Sequence, residues 1–114
     1  ITIQISINNQ QVHITNVYNP PGNKLDDVQY RALVTRPNVI LLGDINAHEL
    51  IFGGHETNGE GTILEKIIEE NNLSVLNNKS GTFIKRDGQL SAIDVTITGR
   101  NLALKIVYVV IIYL

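Results

Sequence analysis

The stretch Val-Ile-Leu-Leu-Gly-Asp-Ile-Asn-Ala-His-Glu-Leu-Ile-Phe-Gly-Gly, from Val39 to Gly54, constrains the fold more than any other. Val39 to Leu42 is an unbroken run of bulky apolar residues, which reads as a strand buried on both faces. The run stops at Gly43, and Asp44, Asn46, His48 and Glu49 follow at once. Ligands of α/β sheets gather beyond the carboxyl ends of strands, so a buried strand ending in carboxylate, amide and imidazole groups is a candidate site. Gly43 lets the backbone turn there or come close to a ligand. Asp44 and Asn46 are two apart and point to the same side of an extended segment. Asp44 can hold a metal ion or take a proton, while Asn46 can both donate and accept hydrogen bonds. The same residues also suit ordinary turn chemistry, with Asp44 closing an Asx turn. On this stretch alone the two readings weigh equally.

The flanking patterns describe an α/β chain. Ile1, Ile3, Ile5 and Ile7 alternate with Thr2, Gln4 and Ser6, the period of a half-buried strand. Asn8-Asn9-Gln10 is turn-like, and Val12 to Tyr18 reads as the returning arm of a hairpin. On that arm Val12, Ile14, Asn16 and Tyr18 share a face that begins apolar and ends polar, as in a core strand whose far end reaches a site. Pro20-Pro21-Gly22 stops it. Lys24 to Thr35 reads as a helix with Leu25, Val28, Ala32 and Leu33 on one face. Asp26 and Asp27 suit its positive N-terminal end, and Arg36-Pro37 ends it. Strand, helix and buried strand suggest a βαβ crossover.

Residues 47–61 read as a loop. Thr62 to Asn71 carries the clearest helical stripe, Ile63, Leu64, Ile67 and Ile68, and Asn71-Asn72 is a C-terminal stop. Leu73 to Leu76 is a short strand. Gly81 to Lys85 and Leu90 to Thr98 read as a second hairpin around Arg86-Asp87-Gly88. Within its second arm Asp94 faces opposite to Ile93, Val95 and Ile97. A carboxylate in a β-branched strand costs stability unless paired or solvated, so Asp94 is either a site residue or lies on the wet face of an edge strand. Leu102 to Leu114 is almost wholly apolar and β-branched. It reads as a buried strand, being too short for a transmembrane helix of about 20 residues, and no membrane partner is expected.

Composition narrows the function classes. The 114 residues make one small domain, and 43% hydrophobic with 18% charged residues fits a globular chain. A net charge of −2 gives no general basic field, so any nucleic acid must be held by local contacts. Without cysteine there is neither a disulfide nor a thiolate zinc site. Methionine is absent even from position 1, which reads as a piece of a longer chain.

Four motifs in order carry a resemblance: Asn-Val-Tyr-Asn-Pro-Pro at 16–21, Gly-Asp-Ile-Asn-Ala-His at 43–48, Gly-Thr-Phe at 81–83 and Ser-Ala-Ile-Asp at 91–94. The chain resembles the endonuclease/exonuclease/phosphatase superfamily, in particular the apurinic-endonuclease-like domain of jockey-type non-LTR retrotransposons. The resemblance implies two packed β-sheets flanked by helices, here an incomplete four-layer sandwich. It also implies a Mg²⁺-dependent phosphodiesterase (Mn²⁺ being an alternative ion) that nicks DNA in the nucleus, within a polyprotein that carries a reverse transcriptase. By position, Asp44 resembles the aspartate that orients or deprotonates the attacking water, and is the one candidate metal ligand. Asn46 resembles the asparagine that holds a phosphate oxygen. Tyr18 resembles the tyrosine that hydrogen-bonds the scissile phosphate, and Asp94 the aspartate that orients a catalytic histidine. Thr82, Ser91, His48 and Asn16 fall at DNA-facing positions, with His48 read as structural or DNA-proximal rather than as a base.

The departures set further expectations. The asparagine- and glutamate-bearing strands with which the family begins would precede Ile1, and the Ser-Asp-His triplet with which it ends does not occur in the sequence. Residues 106–114 read as a divergent or frameshifted tail. The chain is therefore expected to be inactive alone. The alternatives are a degenerate non-catalytic remnant, or a superfamily phosphodiesterase acting on RNA or phosphoinositides.

Overall fold

The computed structural model describes residues 1–46, 59–77, 83–84, 86–88, 90–91 and 94–106. Strands β1 (Thr2–Ile7) and β2 (Gln10–Tyr18) form an antiparallel hairpin. Asn8 and Asn9 connect them, and both have positive φ, 49° and 65°. Two left-handed residues make the tight turn whose twist matches paired strands, and asparagine tolerates that conformation. From β2 the chain enters α1 (Asp27–Val34). Asp26 caps α1 by accepting the Gln29 N–H at 3.1 Å. The chain then returns as β3 (Val39–Asp44), parallel to β2, which is the expected crossover.

Helix α2 (Gly59–Glu70) follows, then β4 (Leu73–Val75). Between them Asn72 adopts φ 54°, and the Asn71 side chain closes the helix on the Ile67 carbonyl at 2.8 Å. Strands β5 (Phe83–Ile84) and β6 (Leu90–Ser91) pair as a separate two-stranded sheet. Strand β7 (Asp94–Gly99) enters the main sheet, whose order is β1-β2-β3-β7-β4, and α3 (Arg100–Ala103) follows it. The architecture is the mixed α/β arrangement of sheets and helices expected from the sequence.

The core lies between the five-stranded sheet and the two longer helices. Leu25, Tyr30 and Val34 meet Val39, Leu41, Val95 and Ile97, with Leu64, Ile67 and Ile68 of α2 completing the cluster. Burial of such side chains stabilises by about 1.5–3 kcal/mol each. The opposite face of the sheet carries Ile14, Ile40 and Thr98 in one row and Asn16, Leu42 and Thr96 in the next.

Four sequence expectations need correction. Val28 is 78% exposed, and the buried face of α1 is Tyr30 and Val34. Leu25 precedes the cap, so it does not set the helical phase. The Leu90 to Thr98 arm is two strands in two sheets, not one, and Asp94 lies on an interior strand rather than an edge. The isoleucine alternation of β1 is real, yet Ile3 and Ile7 stay about half exposed, because β1 is the sheet edge and the helices pack elsewhere. Leu102 sits in the short helix α3 rather than in a strand; residues 107–114, and with them most of the proposed tail, lie outside the described residues. Among the described residues no helix is long and apolar enough to cross a membrane.

Candidate active site at the strand ends

The sheet register assembles the site. Tyr18 of β2 lies opposite Asp44 of β3, and Asp44 lies opposite Asp94 of β7. Three residues distant in sequence thus form one row across three adjacent strands, at the carboxyl ends of β2 and β3. Directly opposed residues in such a ladder have Cβ atoms about 4.5–5.5 Å apart, and opposed like charges are destabilising. Asp44 and Asp94 are backbone partners in this ladder, a pairing that a cation or cationic side chain beside it would favour.

Gly43 brings β2 and β3 together just before this row. Its φ is +135°, and a Cβ there would lie 2.0 Å from the Val17 carbonyl oxygen and 2.8 Å from Asn16 Oδ1. The close approach is therefore to the neighbouring strand and to the Asn16 side chain. Past Gly43, Asp44 Oδ1 accepts the Asn46 N–H at 3.2 Å, so the Asx turn is present. The turn fixes one carboxylate oxygen, while the carboxylate retains further acceptor capacity. Asn46 itself is left-handed, with φ 55°, which turns the chain sharply beyond the strand.

Two asparagines that the sequence reading passed over hold these ends in place. Asn19 is buried. Its backbone N–H donates to the Asp44 carbonyl at 2.8 Å, and its side chain donates to the Ile45 carbonyl at 3.1 Å and to the Asn23 carbonyl at 3.3 Å. Asn77 bonds the peptide groups on both sides of Val95, next to Asp94. Asn19 carried a faint signal, standing between a strand-end tyrosine and Pro20; Asn77 carried none.

The other predicted positions divide. Asn16 lies on the site face, one row from Tyr18, and Tyr18 is 69% exposed. Ser91 lies in β6 opposite Phe83, its side chain not described. Thr82 and His48 lie outside the described residues, as does Glu49. His13 is remote from the row, bonded through Nδ1 to the Pro37 carbonyl at 3.0 Å.

Asp44 and Asp94 offer hard carboxylate oxygens, and Asn46 and Asn16 offer amide oxygens. Mg²⁺ is usually held by one or two carboxylates together with waters and substrate phosphates rather than by an all-protein cage. The donor set fits that pattern. Among the described residues no group of three or more His, Cys, Asp or Glu side chains gathers to hold a metal ion.

Comparison with known proteins bears on the fold and the family. No curated protein matches the chain significantly. Among solved structures the chain is similar to the endonuclease domain of TRAS1, a telomere-specific non-LTR retrotransposon, with a TM-score of 0.73 at 22% identity. That match covers 90% of this chain and 51% of the TRAS1 domain, so the chain spans about half the length of the solved domain whose fold it shares. The model of the endonuclease-reverse transcriptase family matches residues 12–112, a span that includes Tyr18, Asp44 and Asp94, and the chain belongs to that family.

Proposed function

We propose that the chain provides the phosphate-facing strand ends of a metal-dependent phosphodiesterase that nicks DNA for a non-LTR retrotransposon, as part of a polyprotein with a reverse transcriptase. The observation that carries the reading is the alignment of Tyr18, Asp44 and Asp94 in one register row, followed immediately by the Asn46 turn. Asp44 orients or deprotonates the attacking water. Asn46 donates its amide to a phosphate oxygen, and Tyr18 donates its hydroxyl to another. Asp94 holds the ring of a histidine and favours its charged form. Thr82, Ser91, His48 and Asn16 line the DNA. Mg²⁺, or Mn²⁺ in its place, would be held by Asp44 with the substrate phosphate, and would supply positive charge to the phosphoryl oxygens and acidify a bound water.

The 114-residue chain by itself should nick supercoiled plasmid negligibly, since its sequence contains no Ser-Asp-His triplet and losing members of a cooperative catalytic set costs several orders of magnitude. The test of roles uses a chimera in which this chain replaces the matching half of the TRAS1 endonuclease domain. There Asp44→Ala should slow nicking by about 10²–10⁴-fold. Asp94→Ala combined with loss of the histidine should be little slower than the histidine change alone. Tyr18→Phe should cost about 1.5–3 kcal/mol, the worth of a hydrogen bond to a charged oxygen. His13→Ala should leave the rate unchanged. A His13→Ala variant as slow as Asp44→Ala would show that the roles are misassigned.

A further inference from the structure

We infer that Asn77 is a positioning residue for this site: its carboxamide takes over the β4–β7 ladder where the β4 backbone leaves it, and so holds Asp94 opposite Asp44. The inference rests on the reading of Asp94 given above. Regular pairing of β4 with β7 ends at Val75 and Ile97. The next residue, Leu76, still donates its N–H to the Thr96 carbonyl at 2.9 Å. Antiparallel residues of this kind normally exchange both backbone bonds. Instead, the Thr96 N–H donates to Asn77 Oδ1 at 2.9 Å, and Asn77 Nδ2 donates to the Asp94 carbonyl at 2.8 Å.

A carboxamide offers the same donor and acceptor pair as a peptide group. One side chain therefore extends the ladder by two bonds. This matters because Asp94 is the first residue of β7. On its other side lies β3, paired through Gly43–Val95 and Asp44–Asp94, and β3 is irregular there, with Gly43 at φ +135°. With Asn77 on one edge and β3 on the other, the start of β7 is fixed from both sides. Aspartate would keep the acceptor for Thr96 but set an anion against the Asp94 carbonyl, and alanine would supply neither group.

Two measurements test the inference. In the 114-residue chain, Asn77→Ala should lower amide-exchange protection at Thr96 at least about tenfold relative to Ile97. Unchanged Thr96 protection overturns the clasp. In the TRAS1 chimera, assayed well below its melting temperature, Asn77→Ala should lower kcat at least about tenfold with KM for plasmid within about twofold. Combined with Asp94→Ala it should be no slower than Asp94→Ala alone. Asn77→Asp should keep protection at Thr96 yet still slow nicking, which separates placement of Asp94 from folding. Wild-type kcat in both Asn77 variants, with Asp94→Ala severely slowed, overturns the positioning role and leaves the site reading intact. Normal nicking by Asp94→Ala, or none by the unsubstituted chimera, overturns the site reading and this inference with it.

Discussion

Replacing Gly43 by alanine is the most informative test of how the site is held. A methyl group there would lie 2.0 Å from the Val17 carbonyl oxygen, 3.0 Å from the Val17 carbonyl carbon and 2.8 Å from Asn16 Oδ1. The amide of Asn16 can rotate away, but the Val17 carbonyl is backbone and paired within the sheet. Alanine must also adopt φ near +135°, a strain of about 1–3 kcal/mol. Forcing β2 and β3 apart adds about 1–3 kcal/mol more. The sum, about 2–6 kcal/mol, is a large share of the ~5–15 kcal/mol that holds a domain folded. At about 4 °C per kcal/mol for a chain of this size, the melting temperature should fall by roughly 8–24 °C. Far-UV circular dichroism melts measure it. Two glycines serve as controls. Gly88 has φ +84° with nothing within 4 Å of an added Cβ, so Gly88→Ala isolates the backbone strain. Gly59 opens α2 in clear space, and Gly59→Ala should be neutral or stabilise by up to about 1 kcal/mol. If Gly43→Ala melts no lower than Gly88→Ala, the contact between Gly43 and Val17 is not what sets the strand ends.

Three further outcomes are expected. Asp26→Ala removes the α1 cap and should cost about 0.5–2 kcal/mol in urea unfolding; no change would place the start of α1 elsewhere. Asn19→Ala leaves the Ile45 carbonyl without its side-chain donor and should cost about 1–3 kcal/mol, read from the same urea curves, while slowing the chimera's nicking because Ile45 lies between Asp44 and Asn46. Burial raises the pKa of Tyr30 above the ordinary phenol value. Tyr30 thus ionises more readily in the unfolded chain, so its stabilising effect is intact below the ordinary phenol pKa of about 10 and is lost as pH rises beyond it. Tyr30→Phe should flatten that alkaline loss of stability, and an equally steep loss in the variant would assign it to another group.

Much of this protein is written in local pattern. The isoleucine alternation of β1, the Asn8-Asn9 turn, the stripe of α2 and the apolar run of β3 all appear where the sequence put them, because strand and helix periods report which side of a segment is buried. The Gly-Asp-Ile-Asn motif likewise marked the end of β3 and the Asx turn that follows it. Sequence alone did not decide which strands lie side by side. Asp94 gains its meaning from β7 lying between β3 and β4, a non-local pairing that no period encodes, and the continuous reading of Leu90 to Thr98 missed the change of sheet. Gly43 was legible as a special backbone position, but only the packing of β2 shows that the neighbour is the Val17 carbonyl. Val28 matched the apolar pattern and still faces solvent, because pattern gives the phase of a helix only after its start is known. The roles of Asn19 and Asn77 were not legible for one physical reason: a carboxamide has no preferred partner in sequence. Asn77 finds its acceptor and its donor on β7, 17 and 19 residues away, and only the assembled sheet brings them within its reach.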